Sequence, residues 1–170
     1  SDPDNLIDYP LVDPPGFGFT SDLLCTTDAI YNIGQNSIYA IDRTDPSAPV
    51  FTTEFGNANS YGLYAYGDYL ISNEWGTGTL NIWDISVDPL NPALTGSTTD
   101  GPGASNFNCV VVGDYAYTTK SDFGLVVYDI SDPSNPTYTG ELAIAGASYI
   151  RAHGDVIYVM GNNSMLYVIV

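Results

Sequence analysis

Few side chains in this chain could carry a proton, a nucleophile or a metal ion. The only histidine is His153, the cysteines are Cys25 and Cys109, the cations are Arg43, Lys120 and Arg151, and the rest of the titratable resource is twenty carboxylates. His153 follows Arg151-Ala152 at the end of an apolar run, a place that suits a buried or turn-capping imidazole better than a general base. Two cysteines without Cys-x-x-Cys spacing make neither a disulfide framework nor a zinc site, and both are expected to be free, small core residues on inner strands. No Gly-x-Ser-x-Gly elbow occurs, and Gly76-Thr77-Gly78 and Gly101-Pro102-Gly103 lack the third glycine of a dinucleotide loop. The close pairs Asp42 with Asp45, Asp84 with Asp88, and Asp129 with Asp132 could offer oxygens to calcium. A carboxylate at a strand end that accepts turn N–H groups explains the same spacing without an ion, and no Asp-x-Asp-x-Asp-Gly loop is present. The expectation is therefore no catalytic residue, no metal ligand and no cofactor.

The elements that carry these residues are legible from composition and spacing. The chain has 170 residues with 44% apolar side chains, one domain's worth with enough to bury a core. Its net charge of −17 comes from missing Lys and Arg, which excludes a binder of nucleic-acid phosphates and disfavours anionic membranes. No run approaches the roughly 18 apolar residues of a membrane span, and Ser1-Asp2-Pro3-Asp4-Asn5 lacks the basic start of a signal peptide, as in a mature or trimmed form.

Self-similarity runs through the chain. Ile41-Asp42-Arg43-Thr44-Asp45-Pro46 recurs as Trp83-Asp84-Ile85-Ser86-Val87-Asp88-Pro89 and as Tyr128-Asp129-Ile130-Ser131-Asp132-Pro133, at steps of 42 and 45 residues. A second marker agrees: Asp28, Asp68, Asp114 and Asp155 each open an apolar stretch, at steps of 40, 46 and 41. The third unit reads as four strands, Asn106 to Val112, Tyr115 to Thr119, Leu125 to Ile130 and Thr137 to Ile144, with Gly113-Asp114 supplying the positive φ of a tight hairpin. Nothing has helical periodicity. Four-stranded antiparallel repeats of this length predict an all-β chain folded as a β-propeller of four-stranded blades.

The repeat phase divides the single domain into units of about 16–56, 57–99, 100–145, and 146–170 completed by 1–12. Leu166-Tyr167-Val168-Ile169-Val170 aligns with Leu125 to Asp129, so the fourth unit lacks an outer strand, and Leu6-Ile7-Asp8-Tyr9 stands in the phase to supply it. Either that N-terminal strand closes a four-bladed ring, the reading we favour, or the chain is part of a longer propeller.

The run Leu125-Val126-Val127-Tyr128-Asp129-Ile130-Ser131-Asp132-Pro133-Ser134-Asn135-Pro136, preceded by Val112-Gly113-Asp114-Tyr115-Ala116-Tyr117, resembles the LVIVD-repeat family of bacterial and archaeal surface propellers. Units two and one keep Leu80-Asn81-Ile82-Trp83-Asp84 and Ile38-Tyr39-Ala40-Ile41-Asp42, while unit four departs by carrying Val170 where the Asp should be. The resemblance covers about residues 20 to 170 and implies a secreted or cell-surface propeller, in a family whose members mostly lack an assigned activity and usually have more than four repeats. It carries over no catalytic residue.

Candidate binding residues lie on loops at one end of the blades. Asn73 to Thr79 is longer than its counterparts and holds Glu74 and Trp75, Lys120-Ser121-Asp122-Phe123-Gly124 is its equivalent in unit three, and the connection from Thr98 to Asn106 carries Asp100. Glu74, Trp75, Asp100, Asn106, Lys120, Asp122 and Phe123 are thus the expected contact residues for a protein or glycan at a cell surface or matrix, although Trp75 could equally fold over the rim of its own blade. The expected function is non-enzymatic binding outside the cell. A structural subunit of an extracellular array, self-associating through exposed edges, is the alternative, and a carboxylate-based lyase or hydrolase comes third.

Twenty carboxylates against three cations repel one another, and mobile ions screen that repulsion over a Debye length of about 10 Å at 0.1 M salt. The melting temperature is expected to rise with ionic strength equally in sodium and calcium. Thermal melts at matched ionic strength check this, and a rise of several degrees confined to millimolar calcium would instead reveal a formed site.

Overall fold

The computed structural model describes residues 22–34, 37–57, 59–101, 106–162 and 165–170. The described chain is all β. The first sheet holds β1 (Leu23–Cys25), β2 (Ala29–Ile33), β3 (Ile38–Asp42) and β4 (Val50–Phe55). The second holds β5 (Ser60–Tyr66), β6 (Tyr69–Glu74), β7 (Leu80–Asp84) and β8 (Ala93–Thr98). The third holds β9 (Asn106–Val112), β10 (Tyr115–Lys120), β11 (Gly124–Asp129) and β12 (Thr137–Leu142). The fourth has three strands, β13 (Tyr149–His153), β14 (Val156–Met160) and β15 (Leu166–Ile169). Each sheet is an antiparallel meander in chain order, which makes each repeat unit one blade. The strand proposed to complete the fourth blade, Leu6 to Tyr9, lies outside the described residues.

The turn chemistry matches the repeat. Gly67, Gly113 and Gly154 have φ of 55°, 58° and 58°, the left-handed conformation that a two-residue hairpin requires at its first central position. The repeated Asp residues cap turns: Asp84 Oδ1 accepts the Ser86 N–H at 2.8 Å and its hydroxyl at 2.6 Å, and Asp129 accepts the same pair from Ser131 at 2.9 and 2.7 Å. Asp42 with Thr44, and Asp45 and Asp132 with Ser47 and Ser134, repeat the arrangement. Hydrogen bonding to the ionised form holds the carboxyls of Asp42, Asp45, Asp84 and Asp129 below the ordinary value.

Packing runs from blade to blade. Inner strands touch in sequence, β1 and β2 on β5, β5 and β6 on β9, and β9 and β10 on β13. Between the first two blades Tyr31, Ile38 and Ala40 meet Leu63, Leu70 and Trp83. Between the second and third, Ile71, Leu80 and Ile82 meet Cys109, Ala116, Val126 and Tyr128. Val110 and Leu125 then meet Ile150, Ile157 and Val159 of the fourth. In the first three blades the third strands are therefore largely buried on both faces, as in β7, where Leu80 through Trp83 are all inside, whereas outer strands such as β4 alternate. Cys109 is in this core, but Cys25, the last residue of β1, is exposed. His153, expected to be buried or turn-capping, is also exposed, at the end of β13.

Each complete blade has a bulge at the same place. Pairing of the third and fourth strands slips between Ala40 and Ile41, between Ile82 and Trp83, and between Val127 and Tyr128, leaving Thr52, Thr95 and Thr139 as the extra residues. Just beyond, Gly96 lies against the turn of the following blade: a Cβ there would stand 2.1 Å from the Pro133 carbonyl oxygen and 2.9 Å from Pro136 Cδ. Gly140 holds the same place in the third blade, and a Cβ there would meet nothing within 4 Å. Gly96→Ala should cost about 2 kcal/mol or more through overpacking, whereas Gly140→Ala should be within about 0.5 kcal/mol of neutral. Urea unfolding of the two variants checks the contrast, and equal effects would contradict this account of the blade contact.

Candidate functional site

Meander topology puts the β6–β7 loop, the β10–β11 loop and the connection from β8 to β9 at one end of the blades. Trp75 and Phe123 stand there with 53% and 39% of their surface exposed, Asp122 is exposed next to Phe123, and Asp100 is exposed just after β8. Asn106 opens β9, its backbone paired with Lys120. Trp75 does not lie over the rim of its blade: more than half of it faces solvent, unlike Trp83, which is inside and donates its indole N–H to Ser72 Oγ at 2.9 Å.

Glu74 and Lys120 are different. Both were expected at the contact surface, and both side chains point inward, with 7% and 0% exposure. Each lies six residues after its hairpin Asp, a place held by Gly34 and Gly161 in the other blades, so they are equivalent positions of neighbouring blades. Glu74 is a hub for its loop: it accepts hydrogen bonds from Asn57 Nδ2, from Asn81 Nδ2 at 2.9 Å and from the Thr77 hydroxyl at 2.8 Å. The Thr77 and Thr79 hydroxyls lie 2.8 Å apart, the Glu74 N–H donates to the Thr79 carbonyl at 2.9 Å, and the Trp75 N–H donates to the Asn59 carbonyl at 2.6 Å. With Gly76 and Gly78 at φ of 89° and 76°, the loop is bonded at both ends and the indole is presented on a fixed backbone.

Lys120 ties that loop to the next blade. Its Nζ donates to the Gly78 carbonyl at 3.4 Å and to the Tyr128 hydroxyl at 3.0 Å, and stands 5.6 Å from the centre of the Tyr128 ring. Burial pushes its pKa down to about 8, against the pull of the Glu141 carboxylate. Tyr128 packs edge-on against Tyr138 with ring centres 6.3 Å apart, and burial, with neighbouring groups including Asp100, holds its phenol above the ordinary value. The β10–β11 loop is fixed from its other side: a Cβ on Gly124, at φ 110°, would stand 2.3 Å from both Leu142 O and Ile144 N, and the Gly146 N–H donates to the Ser121 carbonyl at 3.2 Å.

Two clefts are found elsewhere among the described residues. One of about 210 Å³ lies among the inner strands and is lined by residues of every blade, among them Asp22, Leu24, Tyr64, Asn108 and Arg151. The other, of about 310 Å³, lies at the opposite end between the first two blades, lined by Thr26, Asp28, Asp68, Ser86 and Pro89. Neither was singled out by the sequence, although the spacing of Tyr64 and Arg151, each four residues before a hairpin Asp, places both on inner strands in the same phase. Among the described residues no three His, Cys, Asp or Glu side chains converge as a metal centre.

The third blade carries a recognisable repeat. Residues 106–143, β9 to β12 and one residue beyond, match the LVIVD repeat. The chain is similar to a computationally designed protein, Ika4, with a TM-score of 0.75 at 11% identity over 95% of this chain and 98% of that one. BamB from Moraxella catarrhalis matches with a TM-score of 0.68 at 10% identity, over 86% of this chain and 42% of that one. A chain of the mitotic checkpoint complex matches with 0.70 at 13% identity, over 88% and 48%. This chain spans less than half the length of the last two. Likeness at such identity shows the fold, a β-propeller arrangement of blades. No curated protein sequence matches the chain.

Lys120 makes the blade contact sensitive to pH with a definite sign. Its pKa of about 8 lies below the ordinary 10.5, so the cost of its buried charge is present below pH 8 and disappears as pH rises through that window. The stability of the wild type relative to Lys120→Met should therefore increase between about pH 8 and 10.5. Paired urea titrations across that range test this, and a constant difference would contradict it.

Proposed function

We propose that this propeller is a non-enzymatic binding module whose loop face, carrying Trp75 and Phe123, holds a protein or glycan outside the cell or at its surface. The observation that carries the reading is the exposed Trp75 on a loop whose backbone is bonded to Asn59 and Thr79 and whose core is the buried Glu74. A rigid aromatic standing in solvent offers a large contact area at small entropic cost, which is the character of an interface anchor. Phe123 supplies a second aromatic from the next blade, and Asp100 and Asp122 supply polar neighbours. The placement of the reactive groups supports a non-enzymatic role: Cys109 is buried with its thiol pushed up to about 12, and Lys120 is sealed between two blades. The LVIVD repeat at residues 106–143 supports the surface location through the family resemblance.

The test uses Val87, 92% exposed on the β7–β8 loop at the opposite end, as the control position. Glycan and surface-protein arrays probed with the wild type identify a partner. Trp75→Ala and Phe123→Ala should each weaken its binding at least about tenfold with unchanged melting, as hot-spot aromatics do, while Val87→Asp leaves it intact. Binding lost with Val87→Asp and kept with both aromatic variants would overturn the reading.

A further inference from the structure

The boundary between the second and third blades differs from its neighbours in one pair of buried side chains. On the second strands, the residue five places after the hairpin Asp looks toward the following blade, and the residue four places after it looks toward the preceding one. At the first boundary these are Ile33 and Ser72, and the Ser72 hydroxyl accepts the Trp83 indole N–H at 2.9 Å. At the third they are Thr119 and Val159, and the Thr119 hydroxyl donates to the Ser148 carbonyl at 3.2 Å. At the second they are Asn73 and Thr118, both 0% exposed. The register fixes where these two point. Asn73 pairs with Leu80, Thr118 pairs with Cys109 and Val126, and all three partners belong to the apolar cluster between these blades. Yet Asn73 Oδ1, Asn73 Nδ2 and Thr118 Oγ1 are buried with no hydrogen-bond partner among the described residues.

We infer that the boundary between the second and third blades binds internal water, which bridges the Asn73 amide to the Thr118 hydroxyl. This inference does not rest on the loop-face reading. A buried amide left unpaired at both ends is costly, and folded proteins meet such groups with protein atoms or with ordered water. The donor set selects water over an ion. Asn73 needs a donor for Oδ1 and an acceptor for Nδ2, and only a molecule that both donates and accepts serves the two ends. An anion leaves Oδ1 unmet. A cation leaves Nδ2 unmet, and it is also repelled by the Lys120 ammonium, which lies two residues beyond Thr118 on the same face of β10 and donates to the Gly78 carbonyl across this boundary. Three polar atoms in one boundary match the roughly two to four partners that hold a buried water. Gly62, beside Asn73 in β5, adds no side chain to that row, so the amide is not covered from its own sheet. The second boundary is thus held partly through water, where Ile33 and Val159 seal the first and third with apolar contact.

A high-resolution crystal structure of the full chain should show solvent density within hydrogen-bond distance of both Asn73 and Thr118, and a sodium bromide soak should leave no anomalous peak there. In solution, magnetic relaxation dispersion of water should register fewer long-lived internal molecules for the double variant Asn73→Leu with Thr118→Val than for the wild type. Either single replacement strands the remaining polar group, so each should lower the urea midpoint, and the double variant should lose less than the two singles together. A direct bond from amide to hydroxyl with no density between them would overturn the inference, as would a bromide peak at the site. So would a double variant that keeps the wild-type number of long-lived waters, or one whose midpoint loss equals the sum of the singles.

Discussion

A sheet that is apolar on both faces has to be sandwiched, and this constraint organises the molecule. Leu80 through Trp83 cannot sit at a surface: alternate residues of β7 look toward the first and third blades, and each needs a neighbour that meets the same demand. The solution is serial, every blade covering the one before it, so stability is close to a sum of interfaces between nearest neighbours. Gly96, pressed against the Pro133 turn, and the Tyr31 hydroxyl, donating to the Pro89 carbonyl at 2.6 Å, show how closely consecutive units interlock at their rims as well as at their centres.

Into this apolar scheme the chain places two charges where other blades have glycine. Glu74 and Lys120 are not paired with each other; each serves a loop. Glu74 gathers three donors and stiffens the turn that carries Trp75, and Lys120 crosses the blade boundary to the Gly78 carbonyl of that same turn. Two adjacent loops are thereby held to one framework, and the aromatics they display keep a fixed relationship to it. Burying an ammonium costs stability, seen in the lowered pKa of Lys120, and the return is a cross-blade link that a glycine cannot make.

Much of the architecture was readable in advance for local reasons. Gly67-Asp68, Gly113-Asp114 and Gly154-Asp155 specify hairpins by backbone conformation alone, and the Asp-Ser turns are complete within three residues, so the strands of the third unit fall within two residues of their expected ends. Features that depend on a neighbour were not. Cys25 and Cys109 look alike in sequence, yet Cys25 ends a short first strand in solvent and Cys109 is buried in the packing between the second and third blades. The inward turn of Glu74 and Lys120 needs the partners Asn57, Asn81 and Gly78 brought from elsewhere, and the bulges at Thr52, Thr95 and Thr139 arise from pairing between strands. The exposure of Trp75 belongs to the same class, since only the folded loop decides whether an indole lies on its own blade or stands clear.

The Asp-Ser cap has a consequence for how such a chain can grow. At Asp84 and Ser86, and again at Asp129 and Ser131, donor and acceptor lie two residues apart, and the residue between them donates its N–H to the carbonyl of Asp68 or Asp114, the hairpin Asp of the same blade. A stretch of gene encoding one unit can be duplicated or deleted without leaving a turn half-satisfied, because the whole motif travels with the copy. The repeated unit thus doubles as a unit of inheritance. Variation in blade number is then limited by what seals the first and last sheets, and hardly at all by the chemistry of the bends between strands.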